Sequence, residues 1–178
     1  MPAIPTFDMN PVDVPQSVLD GLKLIPTATV YNACRSFGHP NCVLEGIKPL
    51  NTGEAHFAAR ARTLRFMPDR PDISAEVRRG ADSPEYQAMG RFGPGDVLVA
   101  DIMGLTRDVV AGDVKLLQLS MNNADGVIID GAIRDLGVIE DEDYGFAVYA
   151  KHRSFHGNPV TVPAEENIQI QCGGALAT

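Results

Sequence analysis

Val97-Leu98-Val99-Ala100-Asp101, the run Asp113 to Asn122, and Gly126-Val127-Ile128-Ile129-Asp130-Gly131 decide the fold class. The first and third are short apolar runs ending at an acid, the pattern of strands buried on both faces. The middle run places Val114, Leu117 and Met121 on one helical stripe, which Leu116 and Leu119 broaden. Strand, helix, strand in this order predicts a parallel pair joined by a crossover, and hence a mixed α/β domain.

Outward from this unit the elements are short. Asp13-Val14-Pro15 opens a helix running through Val18, Leu19 and Leu22, with Asp13 near its cap. Thr27-Ala28-Thr29 opens a second, Val30 to Ser36, closed by Gly38. Ala55 to Phe66 alternates in part and predicts a strand with small residues on one face. Asp82-Ser83-Pro84-Glu85 has the cap, the first-turn proline and the acid of a helix start, and that helix is expected to reach about Phe92. Gly104 to Gly112 reads as a loop. Phe146 to Tyr149 and Ile168 to Gln171 are further strands, and Met1 to Pro11 an extended arm.

A chain of 178 residues and 19.1 kDa fits one domain and is long enough to bury a core without staples. Fifteen basic against 23 acidic side chains give a net charge of −8, which argues against binding nucleic acid or an anionic membrane through bulk charge. No apolar run is long enough to span a bilayer, and the N-terminus has no basic stretch of a signal peptide. Cys34, Cys42 and Cys172 show no metal-like spacing and are expected as reduced thiols of a cytoplasmic protein.

Three features converge between Gly112 and Asp135. Gly112-Asp113 stands where a loop enters a helix, and free N–H groups there can hold a carboxylate. Asp130-Gly131 closes a buried strand, and ligands of open α/β sheets lie at the carboxyl ends of strands. Arg134-Asp135 follows in the next turn, a planar fork for an anionic oxygen beside a hard oxygen ligand for a divalent cation. In a parallel pair all of these fall at one sheet edge. Two readings stay open on the residues alone: a cleft holding an anion and a metal, or a solvated turn pair with Asp113 as a simple cap.

The run Gly112-Asp113-Val114-Lys115, followed by Gly126-Val127-Ile128-Ile129-Asp130-Gly131-Ala132-Ile133-Arg134-Asp135, resembles the RraA-like family, which contains 4-hydroxy-4-methyl-2-oxoglutarate aldolase and the regulator of ribonuclease activity A. The 21-residue separation of Asp113 and Arg134 fits the family pattern without a gap. Thr29-Val30-Tyr31-Asn32-Ala33, Gly46-Ile47-Lys48-Pro49-Leu50, Ala59 to Leu64 and Gln171-Cys172-Gly173-Gly174 extend the likeness over most of residues 20–175. The resemblance implies a single β/β/α domain of the swivelling type, in trimers or hexamers. It implies a metal-dependent pyruvate aldolase with oxaloacetate decarboxylase activity, or alternatively a protein-binding regulator of a ribonuclease. In the aldolase case Asp135 holds Mg²⁺ or Mn²⁺ and Arg134 stabilises the enolate. The backbone of Gly112, Val114 and Lys115 takes the substrate carboxylate, and Asp113 holds a proton-relaying water.

Some positions depart from the pattern. Lys115 stands where the family has an apolar residue, and its side chain either adds a charge near the substrate or points to water. Asn123 and Asn32 replace a Gly and an Asp. Strands that the family carries after Cys172-Gly173-Gly174, and a C-terminal acid reaching a neighbouring subunit, have no counterpart before Thr178. Among other candidates, His152 and His156 are four apart but read as loop, and Cys34 reads as core. Gly93-Pro94-Gly95 lacks the Lys of a phosphate loop. Arg60, Arg62 and Arg65, with Arg70, form either a small basic patch or solvated strand charges.

Overall fold

The computed structural model describes residues 13–51, 56–74, 80–141, 145–156 and 160–178. The arm over residues 1–11 and the start of the strand expected from Ala55 lie outside them or at their margin. The helices are α1 (Gln16–Lys23), α2 (Thr27–Ser36), α3 (Pro71–Ser74), α4 (Pro84–Met89), α5 (Asp113–Met121) and α6 (Leu136–Asp141). The strands are β1 (Lys48–Pro49), β2 (Arg60–Pro68), β3 (Asp96–Asp101), β4 (Gly126–Ile133), β5 (Ala147–Arg153), β6 (Thr161–Glu166), β7 (Ile170–Cys172) and β8 (Ala175–Ala177).

Six strands form one sheet in the order β1-β5-β4-β3-β2-β6. The inner four are parallel, and the outer two run antiparallel to their neighbours. The predicted β3–α5–β4 crossover is present, with Val97 opposite Gly126 and Asp101 opposite Asp130. Every residue of β3 is buried, as a central parallel strand requires. Pro49 and Pro163 both sit in edge strands, where a missing N–H breaks no interior ladder and discourages pairing with another chain.

The period-2 alternation sorts side chains to two cores. Leu98, Ala100, Val127, Ile129 and Val148 face the helices, against Met89 and Phe92 near α4 and Leu116 and Leu119 of α5. Val97, Val99 and Ile128 face the other way, against Ile170 and Cys172 of the β7–β8 hairpin. Hairpin, sheet and helices make three layers, the β/β/α architecture that the resemblance implies. Gly173 and Gly174 form the two-residue hairpin turn with φ of +54° and +83°, the paired positive φ of a type I′ turn. A Cβ on Gly173 would also stand 2.7 Å from the backbone nitrogen of Glu45.

Boundaries shift in physically sensible ways. α1 starts at Gln16 behind Pro15, and Asp13 does not cap it; α2 starts at Thr27 behind Pro26. α4 begins after Ser83, whose hydroxyl accepts from the Tyr86 N–H at 3.4 Å, but stops at Met89 rather than near Phe92. β4 runs past Gly131 to Ile133, so Arg134 leaves the strand directly instead of lying in a turn after Asp130. β5 continues to Arg153, which takes His152 out of the expected loop. α3, α6 and β6 are not among the elements that the sequence predicts, and β8 supplies a strand directly after Cys172-Gly173-Gly174, where none is expected, because the Gly173-Gly174 turn folds Ala175–Ala177 back on β7. Arg60 and Arg62 both bind buried Asp96, each at 3.1 Å, and Arg65 binds Glu165 at 3.2 Å, so these arginines are neither a free basic patch nor simply solvated. Among the described residues no helix is long and apolar enough to cross a membrane.

Candidate active site

The loop after β3 does not simply wander to α5. Val109 bridges Ala132 in parallel, the Val110 N–H donates to the Ala132 carbonyl at 3.3 Å, and the Arg134 N–H donates to the Ala111 carbonyl at 3.3 Å. Residues 109–111 therefore run beside the end of β4 like a short extra strand. This stitching delivers Gly112 and the start of α5 against Arg134 and Asp135, which are remote in sequence.

The approach is close enough that any side chain here would have to displace Asp135 and Arg134. A Cβ on Gly112 would stand 2.4 Å from Asp135 Oδ2 and 2.9 Å from Arg134 Nε. The φ of Gly112 is −136°, which any residue adopts, so space and not backbone freedom sets the requirement. Arg134 Nε pairs with Asp135 Oδ2 at 3.1 Å, and the Asp113 N–H donates to the same oxygen at 3.5 Å. Asp135 has a φ of +59°, uncommon for a residue with a side chain and the kind of local strain that functional sites retain. Both members of the pair are partly exposed, so their contact adds little stability by itself.

Gly112, Asp113, Val114, Lys115 and Arg134 line a cleft of about 280 Å³ with Tyr86, Val109, Val110, Ala111 and His156. The sequence thus placed Gly112, Asp113, Val114, Lys115, Arg134 and Asp135 in one neighbourhood, and the fold brings them together. Two details differ from expectation. The Val114 N–H, a donor assigned to a substrate carboxylate, donates instead to Asp113 Oδ1 at 2.8 Å. Asp113 covers this donor because the cap position is Gly112, which has no side chain to do so.

Lys115 does not reach for water. Its ammonium binds Glu85 Oε2 at 2.7 Å and the Val110 carbonyl at 3.0 Å, and lies 5.7 Å from the centre of the Tyr86 ring. Tyr86 and Glu85, the partner of Lys115, are not among the candidates that the sequence offers, and His156 stands there only as half of a His152–His156 pair. Helix α4 was foreseen, but its packing beside α5, where Asn122 Nδ2 donates to the Met89 carbonyl at 2.9 Å, is a tertiary fact. His156 arrives because the Ser154 N–H donates to the Ile133 carbonyl at 2.9 Å, extending the β5 chain along the end of β4. A lone lysine at the start of an apolar helix was the one sequence hint of a partner in the cleft wall.

Asp135 Oδ1 meets no protein donor among the described residues. The partly exposed Asp135 carboxylate, with one oxygen taken by Arg134 and the Asp113 N–H, can offer its other oxygen to a hard divalent cation that keeps most of its waters. No group of three His, Cys, Asp or Glu side chains gathers among the described residues, so a fully protein-ligated metal does not fit. His152 and His156 accordingly form no metal cluster.

A second polar network lies at the same end of the sheet, on the hairpin side. Buried Asp130 pairs with Lys151 through Oδ1, and its Oδ2 accepts from Gln171 Nε2 and the Gly173 N–H, both at 2.8 Å. Gln171 Nε2 also donates to Asp101 Oδ1 at 2.9 Å, joining the ends of β3 and β4. Burial by itself would raise the Asp130 carboxyl; the bonds from Lys151, Gly173 and Gln171 outweigh it and hold the group below the usual carboxylate range. The Asp130 carbonyl also accepts from the Gly104 N–H at 3.0 Å, fixing the turn after β3.

The chain is similar to known proteins in sequence and in fold. A 27% identical protein of Halalkalibacterium halodurans, provisionally named 4-hydroxy-4-methyl-2-oxoglutarate aldolase, aligns over 85% of this chain and 64% of its own length. A Pseudomonas fluorescens protein with the same provisional name is 32% identical over 56% of this chain and 54% of its own. The chain therefore spans less than two thirds of the length of these relatives. Among solved structures, a Streptomyces coelicolor protein described as an unusual member of the RNase ES inhibitor RraA protein family superposes with a TM-score of 0.78 at 23% identity, over 94% of this chain and 79% of that one. The RNA-processing inhibitor RraA from Thermus thermophilis gives 0.57 at 20% identity, over 83% and 81%. These two likenesses concern the fold. The RraA-like family model, described as Aldolase/RraA, matches residues 27–177, and the chain belongs to that family.

Proposed function

We propose that this protein is a divalent-metal-dependent lyase that cleaves a 4-hydroxy-2-oxo acid to pyruvate and decarboxylates oxaloacetate at the same site. The observation that carries this reading is the packing of Arg134 and Asp135 against Gly112 at the start of α5. Relatives provisionally named as aldolases support it.

Retro-aldol cleavage removes a proton from the 4-hydroxyl, breaks the C3–C4 bond and leaves negative charge on the pyruvyl oxygen. Decarboxylation of oxaloacetate reaches the same pyruvate enolate by losing CO₂, which is why one site serves both. Arg134 donates its guanidinium N–H groups to the oxygen where that charge develops. Asp135, with its open Oδ1, would hold Mg²⁺ or Mn²⁺ partly through waters, supplying Lewis-acid polarisation of the 2-oxo carbonyl. The N–H groups of Val114 and Lys115 take the substrate carboxylate at the positive end of α5. For Val114 this is an exchange: the carboxylate displaces Asp113 Oδ1 from its N–H. The released Asp113 carboxylate then holds the water that relays the proton.

A second reading, a protein-binding regulator of a ribonuclease, is favoured by the description of the Streptomyces structural neighbour. Trimeric or hexameric assembly is proposed with either reading, and sedimentation measures it. The deciding test assays pyruvate release from oxaloacetate and from 4-hydroxy-4-methyl-2-oxoglutarate, with Mg²⁺ and with EDTA. Mg²⁺-dependent pyruvate from either substrate supports the lyase. No pyruvate from both, with capture of a ribonuclease by the immobilised protein, supports the regulator.

A further inference from the structure

Tyr86, Lys115 and His156 line the cleft beside the cluster of Gly112, Arg134 and Asp135. They arrive from three parts of the fold. Tyr86 stands in the first turn of α4, where its N–H closes the cap on Ser83 at 3.4 Å. Lys115 stands in the first turn of α5. His156 lies past β5, where Ser154 fixes the chain. The Ser154 N–H donates to the Ile133 carbonyl at 2.9 Å, and its Oγ donates to the Arg107 carbonyl at 3.1 Å and accepts from the His156 N–H at 3.3 Å. The imidazole stacks on the Phe155 ring, with centroids 4.6 Å apart and planes 25° apart.

What these side chains offer is hydrogen-bond donors. The Lys115 ammonium has three, of which Glu85 Oε2 takes one at 2.7 Å and the Val110 carbonyl another at 3.0 Å. The third is uncommitted, and the ammonium lies 5.7 Å from the centre of the Tyr86 ring. The Tyr86 hydroxyl and both ring nitrogens of His156 meet no protein partner among the described residues, although both residues are half-buried. Side-chain acceptors are scarce. The one carboxylate in the cleft lining is Asp113, which is engaged by the Val114 N–H at 2.8 Å. A wall of open donors suits an acceptor-rich, negatively charged group.

We propose that Tyr86, Lys115 and His156 form the subsite that selects the far end of the substrate, and that this end carries a carboxylate. The inference rests on the lyase reading for the other half of the molecule. With the 2-oxo acid end held at Arg134, Asp135 and the first N–H groups of α5, the donors left in the lining are those of Tyr86, Lys115 and His156. A carboxylate there accepts from the third ammonium N–H, the tyrosyl O–H and an imidazole N–H. A tail ending in a methyl leaves all three without an acceptor. A 2-oxo dicarboxylic acid is therefore preferred over a 2-oxo monocarboxylic acid of the same length.

Calorimetric titration of the full chain with Mg²⁺ tests this with two ligands that lack a 4-hydroxyl and so are not cleaved. One is 2-oxoglutarate; the other is 2-oxopentanoate, in which a methyl replaces the far carboxylate. Wild type is expected to bind 2-oxoglutarate at least about 10-fold more tightly, and Tyr86→Phe and His156→Ala each to cut that ratio by about 3-fold or more. Equal affinities in wild type, no binding of either ligand, variants that weaken both ligands alike, or a ratio that survives both substitutions overturns the subsite. Pyruvate release from oxaloacetate, measured on the same samples, keeps the two claims apart. Release without a 2-oxoglutarate preference overturns the subsite alone. A preference that needs Tyr86 and His156, without any release, overturns the lyase reading alone.

Discussion

A Cβ on Gly112 would stand 2.4 Å from Oδ2 of Asp135, although 23 positions separate the two in sequence. The glycine is therefore part of the site without contributing a side chain. Gly112→Ala is expected to leave the fold intact, because its φ suits alanine, while pushing Asp135 and Arg134 out of register. Displacements of this order cost about 10²-fold in rate. Pyruvate release by Gly112→Ala, beside a denaturation midpoint near wild type, checks both halves.

Arg134 leaves β4 at its carboxyl end and presents a planar fork to the cleft. Arg134→Lys keeps the charge and loses that geometry. A fall in kcat of at least about 10-fold, larger than any change in KM, is the expected outcome if the guanidinium acts on developing charge. A lysine variant with wild-type kcat would remove Arg134 from the chemistry.

Lys115 lines the cleft, and its ion pair with Glu85, at 2.7 Å, is largely sheltered from water. Removing either partner strands the other. Lys115→Met and Glu85→Gln are each expected to destabilise by about 1–3 kcal/mol, and the double variant by less than the sum of the two. Urea denaturation of the four proteins measures the coupling. Additive losses would show that the pair is incidental.

Asp130 links stability to pH. Its carboxyl is held low in the folded protein, so its contribution is fully present above the unfolded carboxylate value and is lost as pH falls through the folded one. Asp130→Asn leaves Lys151 without its buried partner and is expected to cost about 3 kcal/mol near neutral pH. The gap between variant and wild type should shrink as pH falls through the acid range. Denaturant midpoints at several pH values check the slope, and a gap that widens in acid would contradict the assignment.

What the sequence disclosed follows what local physics controls. The uniform apolar runs of β3 and β4 announced a parallel crossover, because burial on both faces leaves only that pattern; the stripe of α5 is corrected, since Leu116 and Leu119 face the core while Val114, Leu117 and Met121 are exposed. Gly173 and Gly174 entered only through the family likeness of Gln171-Cys172-Gly173-Gly174. Asp113, Arg134 and Asp135 could be set at one sheet edge because parallel strands point their carboxyl ends the same way. The bridge from Val109 to Ala132 could not be read, since its hydrogen bonds are made by backbone groups that carry no residue signature. Glu85 and Tyr86 stayed hidden because the side on which α4 packs is decided by tertiary contacts. Edge strand β6 was missed for a related reason: Pro163 argues against a strand unless the strand is known to lie at an edge.

The central claim is that Asp135 makes the cleft a metal-dependent lyase. Pyruvate release from oxaloacetate and from 4-hydroxy-4-methyl-2-oxoglutarate by wild type and Asp135→Ala, each with Mg²⁺ and with EDTA, tests it most directly. The account predicts Mg²⁺-dependent release by wild type, abolished by EDTA and reduced by at least about 10²-fold in the variant. Release that is unchanged by EDTA or by loss of the Asp135 carboxylate would contradict it.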